Sequence, residues 1–115
     1  MKEIIEEFTS VILRFTVHRE GIKGVKEIER CQIIFIDATR LVVYQSVQGT
    51  KFKYSYQWMD SENRTLYRWD NTPHFPQFST FPFHRHVGEF EIAEPFEQVD
   101  LKVVLEFISP QLSAT

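Results

Sequence analysis

The sequence predicts an α+β fold: an antiparallel β-meander with a short N-terminal helix and a C-terminal helix packed on it. Three observations lead there. Apolar residues recur at helical spacing only near the two ends of the chain. Between those ends, runs of alternating apolar and polar residues follow one another. The turns separating the runs are three or four residues long, too short for the crossovers that parallel strands need.

Each element follows from its own residues. Ile4, Ile5 and Phe8 share a helical face, which predicts a first helix over 3–8. From Val11 the period changes. Val11, Leu13, Phe15 and Val17 alternate with Ile12, Arg14, Thr16 and His18, as in a strand with one apolar face. A continuous helix over 3–16 competes, because Ile4, Ile5, Phe8, Val11, Ile12 and Phe15 also share a helical face. Gly21 and Gly24 mark a turn. The β-rich run Cys31–Asp37 reads as a central strand, and Asp37-Ala38-Thr39 turns into the next, Arg40–Val47. Gln48-Gly49-Thr50 turns the chain again. Phe52, Tyr54, Tyr56 and Trp58 then alternate with Lys53, Ser55, Gln57 and Met59, the clearest strand signal in the chain. A turn at 60–63 leads to a short strand over Thr65–Asp70, with Tyr67 and Trp69 on one face and Leu66, Arg68 and Asp70 on the other. Pro73, Pro76, Pro82 and Pro95 keep residues 71–97 from being regular for long, so this segment reads as a long loop. The last helix, about Val99–Ser109, lines up Leu101, Val104, Leu105 and Ile108 and stops at Pro110.

Length and composition bound what such a fold can be. With 115 residues, 43% of them hydrophobic, the chain is long enough for a real core and too short for two, so one domain over 1–115 is expected. The single cysteine, Cys31, forbids an internal disulfide and fits a reducing compartment. No apolar run approaches membrane length, and the acidic, amphipathic start is unlike a signal peptide; a soluble, cytoplasmic protein is expected, with no membrane partner. The net charge of −3 is unevenly spread. Arg14–Lys53 holds eight basic and four acidic residues, whereas residues 89–115 hold six acids and Lys102 alone. A solvated surface explains this; so does a mildly basic face for a polyanion, with the acidic tail held elsewhere.

The chemistry-bearing types gather in the proline-rich segment. His74, His84 and His86 lie among Phe75, Phe78, Phe81 and Phe83, beside Arg85 and after Arg68, Asp70 and Asn71. Metal binding is one use: His84 and His86 with His74 and Asp70 supply enough ligands for zinc, but no thiol pair or His-Glu-x-x-His motif supports it. Metal-free acid–base cleavage of RNA is a second. One histidine takes the ribose 2′-hydroxyl proton, another protonates the leaving oxygen, and Arg68 or Arg85 holds the phosphate, with Tyr54 or Tyr56 stacking a base. The third is structural, with histidines bonding loop carbonyls and Arg68 pairing with Asp70. His18 reads as an ordinary sheet residue and Cys31 as an inert core thiol. The Tyr54/Tyr56/Trp58 stripe suits a core at least as well as a stacking platform.

Three stretches also resemble the TumE-type family: Tyr54-Ser55-Tyr56-Gln57-Trp58, Leu66-Tyr67-Arg68-Trp69-Asp70-Asn71-Thr72-Pro73-His74, and Thr80-Phe81-Pro82-Phe83-His84-Arg85-His86. Their order and spacing agree with the family, and the similarity extends over roughly residues 30–110. The family consists of small bacterial and archaeal toxins of toxin–antitoxin pairs, usually encoded beside a helix-turn-helix antitoxin. The family often pairs histidines where this chain has His74-Phe75 and Phe83-His84, so Arg68, Asp70, Asn71, His74, His84 and His86 alone carry over. The resemblance, joined to the histidine chemistry, implies a type II toxin acting on RNA as a metal-independent endoribonuclease, with no cofactor. In that expectation His84 and His86, with His74, do the acid–base work, Asp70 orients Arg68 or a histidine, and Arg68 and Arg85 hold phosphate. Tyr54, Tyr56 and Asn71 complete the substrate surface, no metal is required, and the aromatic content permits a homodimer. The alternative is a non-catalytic binding protein, or an inactive toxin homologue, whose histidine–aromatic loop is structural.

Overall fold

The computed structural model describes residues 1–112, leaving the last three positions of the expected domain outside the described residues. The chain runs α1 (Lys2–Glu6), β1 (Ile12–Ile22), β2 (Lys26–Phe35), β3 (Arg40–Gln48), β4 (Lys51–Met59), β5 (Thr65–Asp70), β6 (His84–Val87), β7 (Ile92–Pro95) and α2 (Leu101–Ile108). All seven strands form one sheet in chain order, and every neighbouring pair is antiparallel. The meander with a helix from each end is the predicted architecture, extended by two strands.

Both helices cover one face of the sheet. Cross-strand partners put Phe15, Ile33, Leu41, Trp58 and Tyr67 in one row and Val17, Cys31, Val43, Tyr56 and Trp69 in the next. Against these rows pack Ile5 of α1 and Leu101, Val104, Leu105 and Ile108 of α2. Fully burying each such side chain contributes about 1.5–3 kcal/mol, and this docking holds helices that are too short to persist alone. Phe107 meets Tyr67 and Trp69 edge-on at 5.0 and 5.5 Å between ring centroids.

Element limits differ from the sequence reading for local reasons. A bulge between Ile12 and Arg14 turns Leu13 outward, so Ile12, Phe15 and Val17 form the inner face of β1 instead of Val11 and Leu13. The competing helix over 3–16 is absent, since α1 ends at Glu6. Gly21 lies within β1, and the turn falls at 23–25. Val99 precedes α2, because Asp100 is extended and its carboxylate caps the helix by accepting from the Val103 N–H at 2.9 Å. Pro110 sits in a 3₁₀ turn, Ser109–Gln111, that follows α2. The largest difference is in residues 71–97, where β6 and β7 add four-residue strands to the predicted loop. Among the described residues no helix is long and apolar enough to cross a membrane.

Candidate functional site

β6 exists because its four residues find partners on both sides: Asp70 opposite His84, Arg68 opposite His86, and Pro95 and Ala93 beyond. A strand sends alternate side chains to opposite faces. His84 and His86 therefore leave the sheet on the face away from the helices, together with Asp70 and Arg68. Arg85 leaves on the helix face.

Asp70 is the hub of this cluster. Its Oδ1 lies 2.9 Å from His84 Nε2 and its Oδ2 3.5 Å from His86 Nε2. The other ring nitrogens meet backbone carbonyls, His84 Nδ1 at 3.0 Å from Pro82 O and His86 Nδ1 at 3.1 Å from Glu91 O. A carbonyl only accepts, so both Nδ1 atoms carry protons and donate, and both Nε2 atoms are directed at the carboxylate. Asp70 also accepts from the Thr72 N–H at 3.0 Å, which ties it to the loop behind β5. Arg68 stands between two acids, with Nε 3.4 Å from Asp70 Oδ2 and Nη1 3.3 Å from Glu91 Oε1. Arg68 Nε and Glu91 Oε1 are buried and lack hydrogen-bond partners, so this ion pair retains unused capacity.

The centre is sheltered. Asp70, His84 and His86 are 5%, 2% and 7% exposed. Phe75 presents its ring edge-on to both histidines, at centroid distances of 4.9 and 5.9 Å, and Phe78 stacks on Phe75 at 4.9 Å. Burial lowers the pKa of His86 from its ordinary value; Arg68 and His84 push the same way, against the Glu91 carbonyl and Asp70. The rest of this sheet face mixes polar and apolar side chains, with Arg30 and Val42 among them. Continuous cross-strand pairing runs from His18 through Arg30, Tyr44 and Ser55 to Asp70 and His84. The Arg30 guanidinium lies over the Tyr44 ring and also pairs with Glu20.

The remaining predicted site residues lie elsewhere. Arg85 stacks over Phe96 and Tyr67 at 4.2 and 4.9 Å, and its Nε donates to Glu94 at 2.8 Å. Tyr54 and Tyr56 are buried on the helix face, 5.1 Å apart, where Gln45 donates to the Tyr56 hydroxyl at 3.1 Å. Asn71 braces the start of β4, accepting from the Tyr54 N–H at 3.0 Å and donating to Phe52 O at 2.7 Å. His74 is exposed and outside the Asp70–His84–His86 group.

A family model described as Toxin TumE matches residues 1–112. The chain belongs to the TumE toxin family. No curated protein and no solved structure matches it. In this TumE chain, Glu91 and Pro82 join the site through their backbone carbonyls and Phe75 through its ring, none of which the sequence reading included. A carbonyl carries no residue-type signal. Glu91 adopts a positive φ of 50° at the β6–β7 turn, a feature visible only in three dimensions. A TumE toxin implies an antitoxin partner in general.

Proposed function

We propose that this chain is the toxin of a type II pair, neutralised by a helix-turn-helix antitoxin, and that it cleaves RNA by histidine acid–base chemistry. One observation carries the reading: a single carboxylate, Asp70, faces the Nε2 atoms of two histidines whose Nδ1 atoms are pinned. His84, within hydrogen-bond distance of Asp70, is the proton-holding partner and serves as the acid. His86 Nε2, at 3.5 Å, is free to accept and serves as the base. His86 takes the 2′-hydroxyl proton, O2′ attacks phosphorus, and the 5′ oxygen leaves with the proton from His84. The products are a 2′,3′-cyclic phosphate and a 5′-hydroxyl. Arg68, whose Nε makes no hydrogen bond, holds the charge that builds on the phosphate. His18 and Arg30 lie on the same sheet face, Arg30 paired with Glu20, and RNA reaches the pair from this face by displacing Phe75. Arg85, Tyr54 and Tyr56 have no part in this version, because they lie on the helix side, and His74 and Asn71 stay outside the proton transfer.

The test is incubation of purified protein with RNA and with the same strand carrying 2′-deoxyribose at the cut. Cleavage of the first alone is expected. His84→Ala lowers the melting temperature, because it leaves Asp70 and the Pro82 carbonyl without a partner, and at a temperature where it stays folded it also lowers the cleavage rate on the order of 10²-fold or more. A non-catalytic reading is favoured by a different observation, the bonds of both histidines to loop carbonyls beneath Phe75. Under it RNA stays intact, and His84→Ala lowers melting temperature and partner binding together.

A further inference from the structure

The tautomers of the two histidines create an electrostatic demand that the protein itself meets only in part. With each Nδ1–H donating to a carbonyl, a neutral ring keeps its lone pair on Nε2. Both lone pairs then face the oxygens of Asp70 at 2.9 and 3.5 Å, acceptor against acceptor. Something positive has to lie between them, either a proton added to a ring or one cation shared by all three groups. Arg68 approaches only from the side, 3.4 Å from Oδ2, and divides itself with Glu91.

We infer that Asp70, His84 and His86 form a binding site for one divalent transition-metal ion of the zinc class. One donor atom from each lies within 4.8 Å of the others, and small side-chain rotations close this to the edge of about 3.4 Å that zinc bond lengths of about 2.1 Å require. Two imidazole nitrogens and one carboxylate oxygen suit zinc or cobalt and do not suit magnesium or calcium, which prefer oxygen ligands. The Pro82 and Glu91 carbonyls already make the outer hydrogen bonds that metal-binding histidines use to fix their rings. Strand geometry, with His84 and His86 two residues apart on β6 and Asp70 opposite on β5, holds all three without a long loop. When Asp70 binds metal, Arg68 retains Glu91 at 3.3 Å. Metal and proton compete for the same two lone pairs, so a loaded site does not cut RNA. That last consequence rests on the proposed cleavage; the site itself does not.

The experiment takes the metal-stripped 115-residue chain and adds Zn²⁺, Mg²⁺ or Co²⁺ alone. One equivalent of Zn²⁺ is expected to raise the melting temperature and Mg²⁺ to leave it unchanged, while one equivalent of Co²⁺ produces visible d–d absorption. His86→Gln and Asp70→Asn weaken Zn²⁺ binding roughly tenfold or more, whereas His74→Ala does not. A folded wild-type chain with neither the Zn²⁺ shift nor the Co²⁺ band overturns the site, and so does a folded His86→Gln chain that responds like wild type. Because the wild-type spectrum decides by itself, a variant that fails to fold leaves the result standing. RNA cleavage is then followed with Zn²⁺ and with chelator. Loss with Zn²⁺ and recovery with chelator fit both proposals. Cleavage that needs the metal keeps the site and sinks the proton-transfer reading. Cleavage by a chain that binds no metal does the reverse.

Discussion

Arg85 stands between two histidines in the chain and on the opposite side of the sheet from both. The sequence offered it as a phosphate holder because arginine beside histidine has that chemistry. Its place is set by strand alternation, which turns residue 85 toward α2. There its guanidinium covers Phe96 and Tyr67 and pairs with Glu94, and its stem fills space that an alanine would leave open. We expect Arg85→Ala to cost about 2 kcal/mol and to lower the melting temperature by several degrees. Thermal unfolding followed by circular dichroism checks this, and an unshifted midpoint would remove Arg85 from the packing. Asp70 shows the opposite case. Its residue type suggested an orienter, and register gave it two histidines and an arginine at once.

At the scale of elements, the β1–β2 hairpin is the sharpest point. Gly21 has φ +112°, and a Cβ there would come within 2.1 Å of the Lys26 carbonyl oxygen. Gly24 has φ +83° and open space around it. Gly24→Ala therefore costs only the conformational penalty of about 1–2 kcal/mol. Gly21→Ala adds a clash with backbone that no side chain can relieve, so it destabilises more. Urea unfolding of the two variants reads the difference, and equal midpoints would contradict the hairpin geometry. The long strands were legible because each repeats its alternation several times, as Tyr54, Tyr56 and Trp58 do. β6 and β7 were not, since four residues between prolines give too few periods to separate from a loop.

For the molecule as a whole, the buried aromatic and thiol groups set an alkaline limit. Burial pushes Cys31 up to about 11 and Tyr54 to about 12, and raises Tyr56 as well. Each group holds its proton more tightly folded than unfolded. Below about pH 7.5 all are protonated in both states and these groups leave stability unaffected. Above it the unfolded chain ionises first, so stability falls progressively through pH 11–12. Denaturant unfolding at pH 8 and pH 10.5 should give a clearly lower free energy at the higher value, and Cys31→Ala should flatten the early part of the slope. A pH-independent midpoint would mean that these groups are wetter than the core packing implies.

The sequence by itself determined the α+β meander, the two terminal helices, the aromatic inner face of β4 and the residue types of the candidate centre. These are local matters: periodicity, turn chemistry and side-chain functional groups act over a few neighbouring residues. Tertiary structure alone decided which of those types meet. His84 and His86 share a face because a strand formed where prolines suggested a loop. Asp70 lies between them because β5 and β6 pair in one register, and a shift of one residue would have offered Trp69 instead. Arg85, Tyr54 and Tyr56 went to the other side by the same alternation. The two carbonyls that orient the rings belong to no residue type at all. They come from where the backbone passes, which is fixed only when β6 pairs between β5 and β7.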